Sequence, residues 1–251
     1  MGNNALRMDA RAYGLRTSST AGQSRNGDNR LRFRRPDPNA IHAMKAAIRV
    51  TSASAIGCPT AGSEPTQARI RLVGYFFNAG NGEPGRAAND VRGSIEIRRL
   101  SNSTVANQLL IRGVVIRCID TDCFLSQTLF NSQLGTMLVG QTANLLMQWD
   151  PPTHQILFQL NTNAPVAFSY TLSDAAPPMN FFDKKHIEIN HSVGNCVAAQ
   201  TSAFMSATVD DVSLNTAAAV APLSTALESL DLDGADAFML EGEPVAPEHD
   251  H

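Results

Sequence analysis

The sequence predicts an all-β protein, built as an antiparallel sandwich or barrel. Apolar and polar residues alternate through much of residues 5–215, for example in Arg69–Leu72 and Ile95–Arg98, and this period of two is typical of half-buried antiparallel strands. Turn-forming residues such as Gly80–Gly82 and Asn161–Asn163 separate the alternating segments at fairly even spacing. The 251 residues are enough for one sandwich domain with a tail.

Twelve segments follow this alternation and are predicted strands. The second of them alternates arginine with Leu31 and Phe33, a stripe that either binds an anionic polymer or protects a sheet edge; the protective interpretation is favoured. In chain order the predicted strands are Leu6–Leu15, Arg30–Arg35, Ala43–Ser52, Ala68–Asn78, Val91–Leu100, Gln108–Ile119, Phe124–Phe130, Ala143–Asp150, Gln155–Leu160, Val166–Leu172, His186–Asn190 and Phe204–Leu214. The predicted loops are Thr17–Gly27, Thr60–Thr66 and Ser173–Phe182.

The composition changes after Asn215. Small apolar residues lead into residues 223–251, which carry eight acidic side chains and no Lys or Arg. We therefore divide the chain into a sandwich domain at residues 1–215 and a linker with an acidic C-terminal tail at residues 216–251. A solvated, disordered tail is the plainer interpretation, and a segment that docks on the basic part of the chain or on a protein partner is the alternative.

Charge is divided unevenly along the chain. The formal net charge is only -3, yet residues 1–117 hold 18 of the 20 Lys and Arg side chains and only seven of the 23 Asp and Glu. The strand pattern crosses residue 117 without a break, so the division is not a domain boundary. The small net charge does not favour a nucleic-acid partner. No apolar run is long enough to predict a membrane span, and the first residues lack the features of a signal peptide.

Several stretches resemble strands of the concanavalin A-like lectin and glucanase superfamily, which includes laminin G-like domains. Gly140–Asp150 ends in Trp-Asp and turns into His154–Asn161, which reads Phe-x-Leu-Asn near its end. Ala207–Leu214 resembles the closing strand of such sandwiches, and Asn29–Pro36 followed by Met44–Val50 looks like their early strands. The resemblance covers most of the chain before the tail. It implies a jelly-roll β-sandwich and a glycan or surface polymer as partner.

The glucanases of this superfamily carry Glu-x-Asp-x-x-Glu on one strand, which gathers carboxylates at one site. The nearest candidates are Glu96 and Glu188, and each lacks the second and third carboxylate, so no catalytic residue is assigned. The sequence therefore favours noncatalytic recognition of carbohydrate or cell-surface material. The alternatives are a structural or assembly subunit of an envelope or extracellular complex, and a polysaccharide-cleaving enzyme with an unrecognised site.

Candidate carbohydrate-binding residues are those whose parity places them opposite the apolar side of a strand. Tyr75 shares parity with Arg71 and is expected to face solvent, where its ring could stack on the apolar side of a sugar. Arg98, Gln148 and Asn161 add polar groups if they fall on the same concave sheet. Parity does not say which sheet face they occupy. Trp149 shares parity with apolar neighbours and is predicted to lie in the core.

A structural calcium ion is implied by the same resemblance. In related glucanases and carbohydrate-binding modules, an acid in the closing strand can hold calcium, and Asp210 matches that position. Calcium needs roughly six to eight oxygen ligands, so backbone carbonyls would have to complete the site. A hydrogen-bonded or exposed Asp210 is the alternative.

Four cysteines allow three disulfide connectivities. Cys118 and Cys123 bracket a short turn, which suits a local bridge. If the strand around Ala47 lies opposite the closing strand around Ala207, the same register places Cys58 opposite Cys196. Two disulfides imply a secreted, periplasmic or cell-surface protein, whereas four free thiols in the cytosol are the alternative.

Overall fold

Thirteen strands form two antiparallel sheets in the computed structural model, which describes residues 5–16, 23–24, 29–33, 37–60, 63–179, 184–197 and 199–215. The strands are β1 (Leu6–Tyr13), β2 (Gln23–Ser24), β3 (Asn29–Arg32), β4 (Ala43–Ile56), β5 (Gln67–Asn78), β6 (Asp90–Leu100), β7 (Gln108–Cys118), β8 (Ser126–Leu138), β9 (Thr142–Asp150), β10 (Gln155–Leu160), β11 (Val166–Ser169), β12 (Lys185–Gly194) and β13 (Ser202–Leu214). Short 3-10 turns lie at Pro38–Ala40 and Pro151–Thr153.

The two sheets interleave strands from distant parts of the sequence. One sheet has six strands in the order β1-β13-β4-β9-β10-β11. The other has seven, in the order β2-β12-β5-β6-β7-β8, with β3 also paired to β12. The all-β antiparallel sandwich predicted from the alternation is confirmed, and it agrees with the resemblance to concanavalin A-like jelly rolls. Among the described residues, no helix has the length and apolar character that a membrane crossing needs.

The core lies between the two sheets and is filled by alternate residues of each strand. Ile70 and Leu72 on β5 and Leu145 and Met147 on β9 are fully buried in it. Trp149 also belongs to the core, as predicted: it packs against the aromatic side chains of the core, and its indole N–H donates a 2.6 Å hydrogen bond to the Tyr170 hydroxyl. A buried indole N–H that finds a partner avoids the cost of burying a bare donor.

All twelve predicted strands are present; Gln155–Leu160 has the predicted bounds, and the other eleven have shifted ends. The largest shift is at β8, which begins at Ser126 and runs to Leu138, eight residues past the predicted end. Two irregularities in its pairing with β7 interrupt the period of two, which hid this extension from the sequence pattern. The short strand β2 lies within the predicted loop Thr17–Gly27, and most of that loop lies outside the described residues.

Both predicted disulfides are confirmed, but the register used to predict one of them was wrong. Cys58 and Cys196 are bonded with their Cα atoms 5.5 Å apart, and Cys118 and Cys123 with theirs 4.7 Å apart. In the ladder between β4 and β13, Ala47 pairs with Asp210 instead of Ala207. The bridge still forms because Cys196 lies before the start of β13, outside the ladder, so the register does not fix its position.

Candidate functional site

A layer of charged and polar side chains covers one side of the seven-stranded sheet. On β5, Ile70 and Leu72 point into the core, so Arg69 and Arg71 lie on the side that faces away from the other sheet. Strand register places residues of β3, β6, β7 and β12 beside them on that side. We call this surface the charged face; it consists of Arg30, Arg32, Arg69, Arg71, Arg92, Ser94, Glu96, Arg98, Arg112, His186, Glu188 and Asn190.

The centre of the charged face is a row of alternating charges across five strands. Arg30, Glu188, Arg71, Glu96 and Arg112 lie side by side in register on β3, β12, β5, β6 and β7. The Glu188 carboxylate is 2.9 Å from the Arg30 Nε and 2.5 Å from the Arg71 Nε. Arg71 also reaches Glu96, with 3.3 Å between Nη1 and Oε1. Opposite charges on neighbouring strands stabilise the pairing of those strands.

Each carboxylate at the centre is held by several further groups. Glu96 lies 2.7 Å from the Arg98 Nη2 and accepts a 3.1 Å hydrogen bond from the Ser94 hydroxyl. Glu188 lies 3.2 Å from the His186 Nε2 and accepts a 2.9 Å hydrogen bond from the Asn190 side-chain amide. The lone pairs of both carboxylates are therefore directed at protein donors.

These contacts set the ionisation of the two carboxyl groups. Burial alone would raise the pKa of Glu96, but Arg98, Arg69 and Arg71 outweigh it and hold that pKa well below its usual range. Burial likewise opposes ionisation of Glu188, and Arg71 together with His186 lowers its pKa well below normal. A general acid needs a proton at working pH, and these two groups are ionised there. The pair is therefore unsuited to the acid role in glycoside cleavage.

Positive charge exceeds negative charge on the charged face. Its residues include seven arginines and two glutamates. The central side chains are shielded from solvent: Arg69 is 1% exposed, Arg71 3% and Glu96 1%. Arg30 and Arg32 at one edge are exposed, and Arg112 at the other is half-buried. The face therefore has a shielded centre and a more exposed cationic rim, whose Arg30 also pairs with Glu188.

One end of the same side of the sheet is apolar. Val73, Tyr75, Val114 and Ile116 form a buried cluster there together with Ala87 and the disulfide of Cys118 and Cys123. Arg92 lies over the Tyr75 ring, 5.8 Å from its centroid, and burial lowers the pKa of this arginine. The expectation that Tyr75 faces solvent is wrong, because its ring is 7% exposed beneath this cover. The aromatic ring cannot serve as an open stacking platform.

The structure separates the five predicted carbohydrate-binding residues. Arg71, Arg98 and Tyr75 share the outer side of the seven-stranded sheet. Gln148 lies on β9 of the other sheet, and Asn161 follows β10 of that sheet, where its side-chain oxygen accepts a hydrogen bond from the Asn144 backbone. The five residues therefore do not line one surface.

The sequence missed the partners that complete the charged face. Arg30, Arg69, Glu96 and Glu188 were each visible as polar residues of a strand, but they come together only because β3, β12, β5 and β6 are consecutive in the sheet. No local signal gives that order. Knowledge of which strands pair, and in which register, would have been needed to predict the row of alternating charges.

Gln148 instead lines a cleft at the end of β9. The cleft has a volume of about 380 Å³ and is also lined by His42, Trp149, Asp150 and Asn215, with small and proline side chains completing its wall. The His42 and Trp149 rings lie 5.0 Å apart. This cleft is a separate surface from the charged face, since β4 and β9 belong to the six-stranded sheet.

Asp210 lies where β13 leaves its register with β4. Its side-chain oxygen accepts a 2.9 Å hydrogen bond from the backbone N–H of Asp211, which has a left-handed conformation with φ of 49°. Within the described part of the chain, no group of three or more His, Cys, Asp or Glu side chains converges as metal ligands would. Asp210 therefore brings a single carboxylate, which does not by itself fit calcium. Calcium binding at Asp210 stays a prediction.

Comparison with known proteins found no matching family model and no curated protein of significant similarity. Among solved structures, a family 16 endo-glucanase from Bacteroides ovatus matches with a TM-score of 0.38 and 11% identity, over 82% of this chain and 80% of that one. A polysaccharide lyase of family 18 matches with a TM-score of 0.38 and 8% identity, over 82% and 87%. A carbohydrate-binding module of the evolved Dit protein of Lactobacillus casei phage J-1 matches with 0.37 and 11%, over 83% and 76%. Similarity this low does not identify an activity.

Proposed function

We propose that this chain is a noncatalytic recognition domain of an exported protein, and that its charged face binds an acidic carbohydrate or surface polymer. The observation that carries the proposal is the excess of arginine on that face, seven against two glutamates. Carboxylate or sulfate groups repeated along a polymer complement such a surface. The guanidinium group suits them because it donates two parallel hydrogen bonds to one carboxylate.

The rim of the charged face is where a polymer makes its first contact. Arg30 and Arg32 on β3 are exposed, and Arg112 on β7 is half-buried on the far side of the row. The central arginines Arg69 and Arg71 are almost completely buried, so they contribute mainly to the positive potential of the face, and direct contact falls to the more exposed rim. A polymer that spans the rim from β3 to β7 crosses the whole row.

The state of the two carboxylates supports binding over cleavage. Both pKa values are lowered, which keeps the groups ionised and paired at neutral pH. The two disulfides support export, because such bonds persist in oxidising compartments. Cleavage of a polysaccharide remains the alternative that the test below separates.

Binding to polymers of matched length and different charge tests the proposal. We expect the chain to bind polygalacturonate and not to bind neutral dextran. Its affinity for polygalacturonate should fall as the salt concentration rises. The double variant Arg30→Gln and Arg112→Gln should weaken binding by about tenfold, since each removed cation loses charge-assisted hydrogen bonds. Isothermal titration calorimetry measures both effects.

The matched control removes two cations from the other sheet. Lys45→Gln with Arg49→Gln also removes two positive charges, so the net charge changes by the same amount. These residues lie on β4 of the six-stranded sheet, away from the charged face. Affinity that falls equally in the control would contradict a binding site on the charged face. Tighter binding to single-stranded DNA than to polygalacturonate, or release of new chain ends from the polymer, would contradict an acidic-glycan recognition domain.

A further inference from the structure

We infer that the acidic tail, residues 223–251, binds in cis across the charged face and competes there with the external acidic polymer. The inference rests on the proposed function, since it assigns regulation to the same site. It commits to this segment of the same chain as the occupant. Docking of the tail on a second copy or on another protein is an outcome of the test.

Charge complementarity is the first argument. The tail has eight acidic side chains and no Lys or Arg, and the charged face has seven arginines and two glutamates. The outer side of the six-stranded sheet is more evenly mixed: Arg7, Arg11, Lys45 and Arg49 are accompanied there by Asp9 and Asp210. The charged face is therefore the stronger electrostatic match for a polyanionic segment of this chain.

Burial limits where the tail makes contact. The central residues of the charged face are as inaccessible as core residues, with Arg98 4% exposed and Glu188 1%. We therefore expect the tail to reach the exposed arginines of the rim, Arg30 and Arg32.

The point of departure of the tail makes the contact reachable. Asn215 is fixed against the end of β4: its backbone N–H donates to the Ala43 carbonyl at 2.7 Å, and its side-chain amide donates to the Ala40 carbonyl at 3.0 Å. The 36 residues that follow can extend to about 120 Å at roughly 3.3 Å per residue. β13, among the longest strands, spans only about 43 Å at about 3.3 Å per residue for its 13 residues.

Tethering makes a weak contact sufficient. A segment joined by a flexible linker has an effective concentration near its site on the order of millimolar. The tail therefore needs only modest affinity to occupy the charged face, and an external polymer binds in competition with it. Neutralising the tail should increase the apparent affinity for the polymer.

The test uses the full chain and a full-length variant in which the eight tail acids are replaced by their amides, Asp→Asn and Glu→Gln. A second full-length variant carries the tail sequence in scrambled order, which keeps its charge. We expect the amide variant to bind polygalacturonate at least about tenfold more tightly than the natural chain, and the scrambled variant to match the natural chain. A synthetic peptide of residues 223–251 should bind the amide variant and displace the polymer, and Arg30→Gln with Arg112→Gln in that variant should weaken peptide binding.

The outcomes separate the two proposals. Equal polymer affinity in the natural and amide variants, with no peptide binding, would overturn the tail contact and leave the polymer site standing. Peptide binding that depends on Arg30 and Arg112 without any polymer binding would support the tail contact and overturn the proposed function. Dimers of the natural chain that vanish in the amide variant, measured by light scattering, would place the tail on a second copy and contradict docking in cis.

Discussion

The outer sides of the two sheets are built by the same alternation of residues and differ in what they do with charge. On the six-stranded sheet, Arg7, Asp9 and Arg11 of β1 are all exposed, and so is Arg49 of β4. On the seven-stranded sheet, Arg71, Glu96 and Glu188 are almost completely buried and joined in one network.

The difference teaches that charge pattern along a strand does not reveal the role of the charges. Exposed ion pairs contribute little to stability because water and salt screen them. Buried charges are costly to desolvate, so each must be paired. Removing one partner leaves the other buried without a counter-charge. The stability of the fold therefore depends on the charged face, whereas charges on the outer side of the six-stranded sheet can be replaced with little loss of stability.

The largest expected change in stability comes from removing a central carboxylate of the charged face. Glu96→Gln is expected to lower the free energy of unfolding by about 3–5 kcal/mol, because Arg71 and Arg98 lose a buried counter-charge. The matched control on the other sheet, Asp9→Asn, should change it by less than about 0.5 kcal/mol. Urea denaturation followed by circular dichroism measures both. Equal effects of the two substitutions would show that the network is not special.

Acidification should weaken the charged face more than the outer side of the six-stranded sheet. Glu96 and Glu188 have lowered pKa values in the folded chain, so the unfolded chain binds more protons as the pH falls. The stability that they provide is fully present above about pH 4.3, the ordinary pKa of Glu, and is lost as the pH falls toward the folded values. The natural chain and Glu96→Gln should therefore converge in stability toward low pH. A constant difference between pH 7 and pH 3 would contradict the lowered pKa.

Lys185 sharpens the comparison from the core side of the same sheet. Its ammonium group donates to the Tyr75 carbonyl and lies 4.8 Å from the centre of the Phe76 ring, and burial lowers its pKa to about 7. Since the unfolded chain holds this proton up to about pH 10.5, burial of Lys185 costs most below pH 7, and the cost declines as the pH rises toward 10.5. Lys185→Met should raise stability at neutral pH by on the order of 2 kcal/mol and flatten its rise at alkaline pH. A destabilised variant with an unchanged slope between pH 7 and pH 9.5 would contradict this account.

The disulfide at the apolar end should affect stability and leave binding unchanged. Cys118 and Cys123 are only five positions apart in the sequence, so removing the bridge by Cys118→Ala with Cys123→Ala should cost about 2 kcal/mol. The arginine network lies at the other end of the face, so binding of polygalacturonate should be retained. Thermal unfolding and calorimetry measure the two effects. If the double variant keeps its full stability but no longer binds polygalacturonate, the binding site lies at the apolar end, and the proposed site is wrong.

The sequence predicted the strands of this fold better than its site. Alternation identified twelve strands, and the spacing of Cys118 and Cys123 identified their bridge, because both signals are local. The register between β4 and β13 was misjudged: Ala47 pairs with Asp210, three residues from the predicted partner Ala207, because no local signal along either strand says which residues lie opposite each other.

The charged face was only partly predictable for the same reason. Parity placed Tyr75 on the same side of its strand as Arg71, but it could not say that Arg98 of the next strand lies beside them. Burial of Tyr75 depends on Arg92 of the neighbouring strand and on the cluster that includes the disulfide of Cys118 and Cys123, and the contact of Glu188 with Arg71 spans 117 residues. Long-range strand order decides such contacts, and no local pattern encodes it.

Arginine footprinting tests the central claim, that the charged face is the binding surface, most directly. The full-length variant with its eight tail acids replaced by amides is used, so that the tail does not already shield the rim. It is modified with phenylglyoxal with and without polygalacturonate, and each arginine is quantified by mass spectrometry. The account predicts that the polymer protects Arg30, Arg32 and Arg112 at the rim and leaves Arg7, Arg11 and Arg49 on the six-stranded sheet unchanged. Equal protection of both sets, or protection of the second set alone, would contradict it.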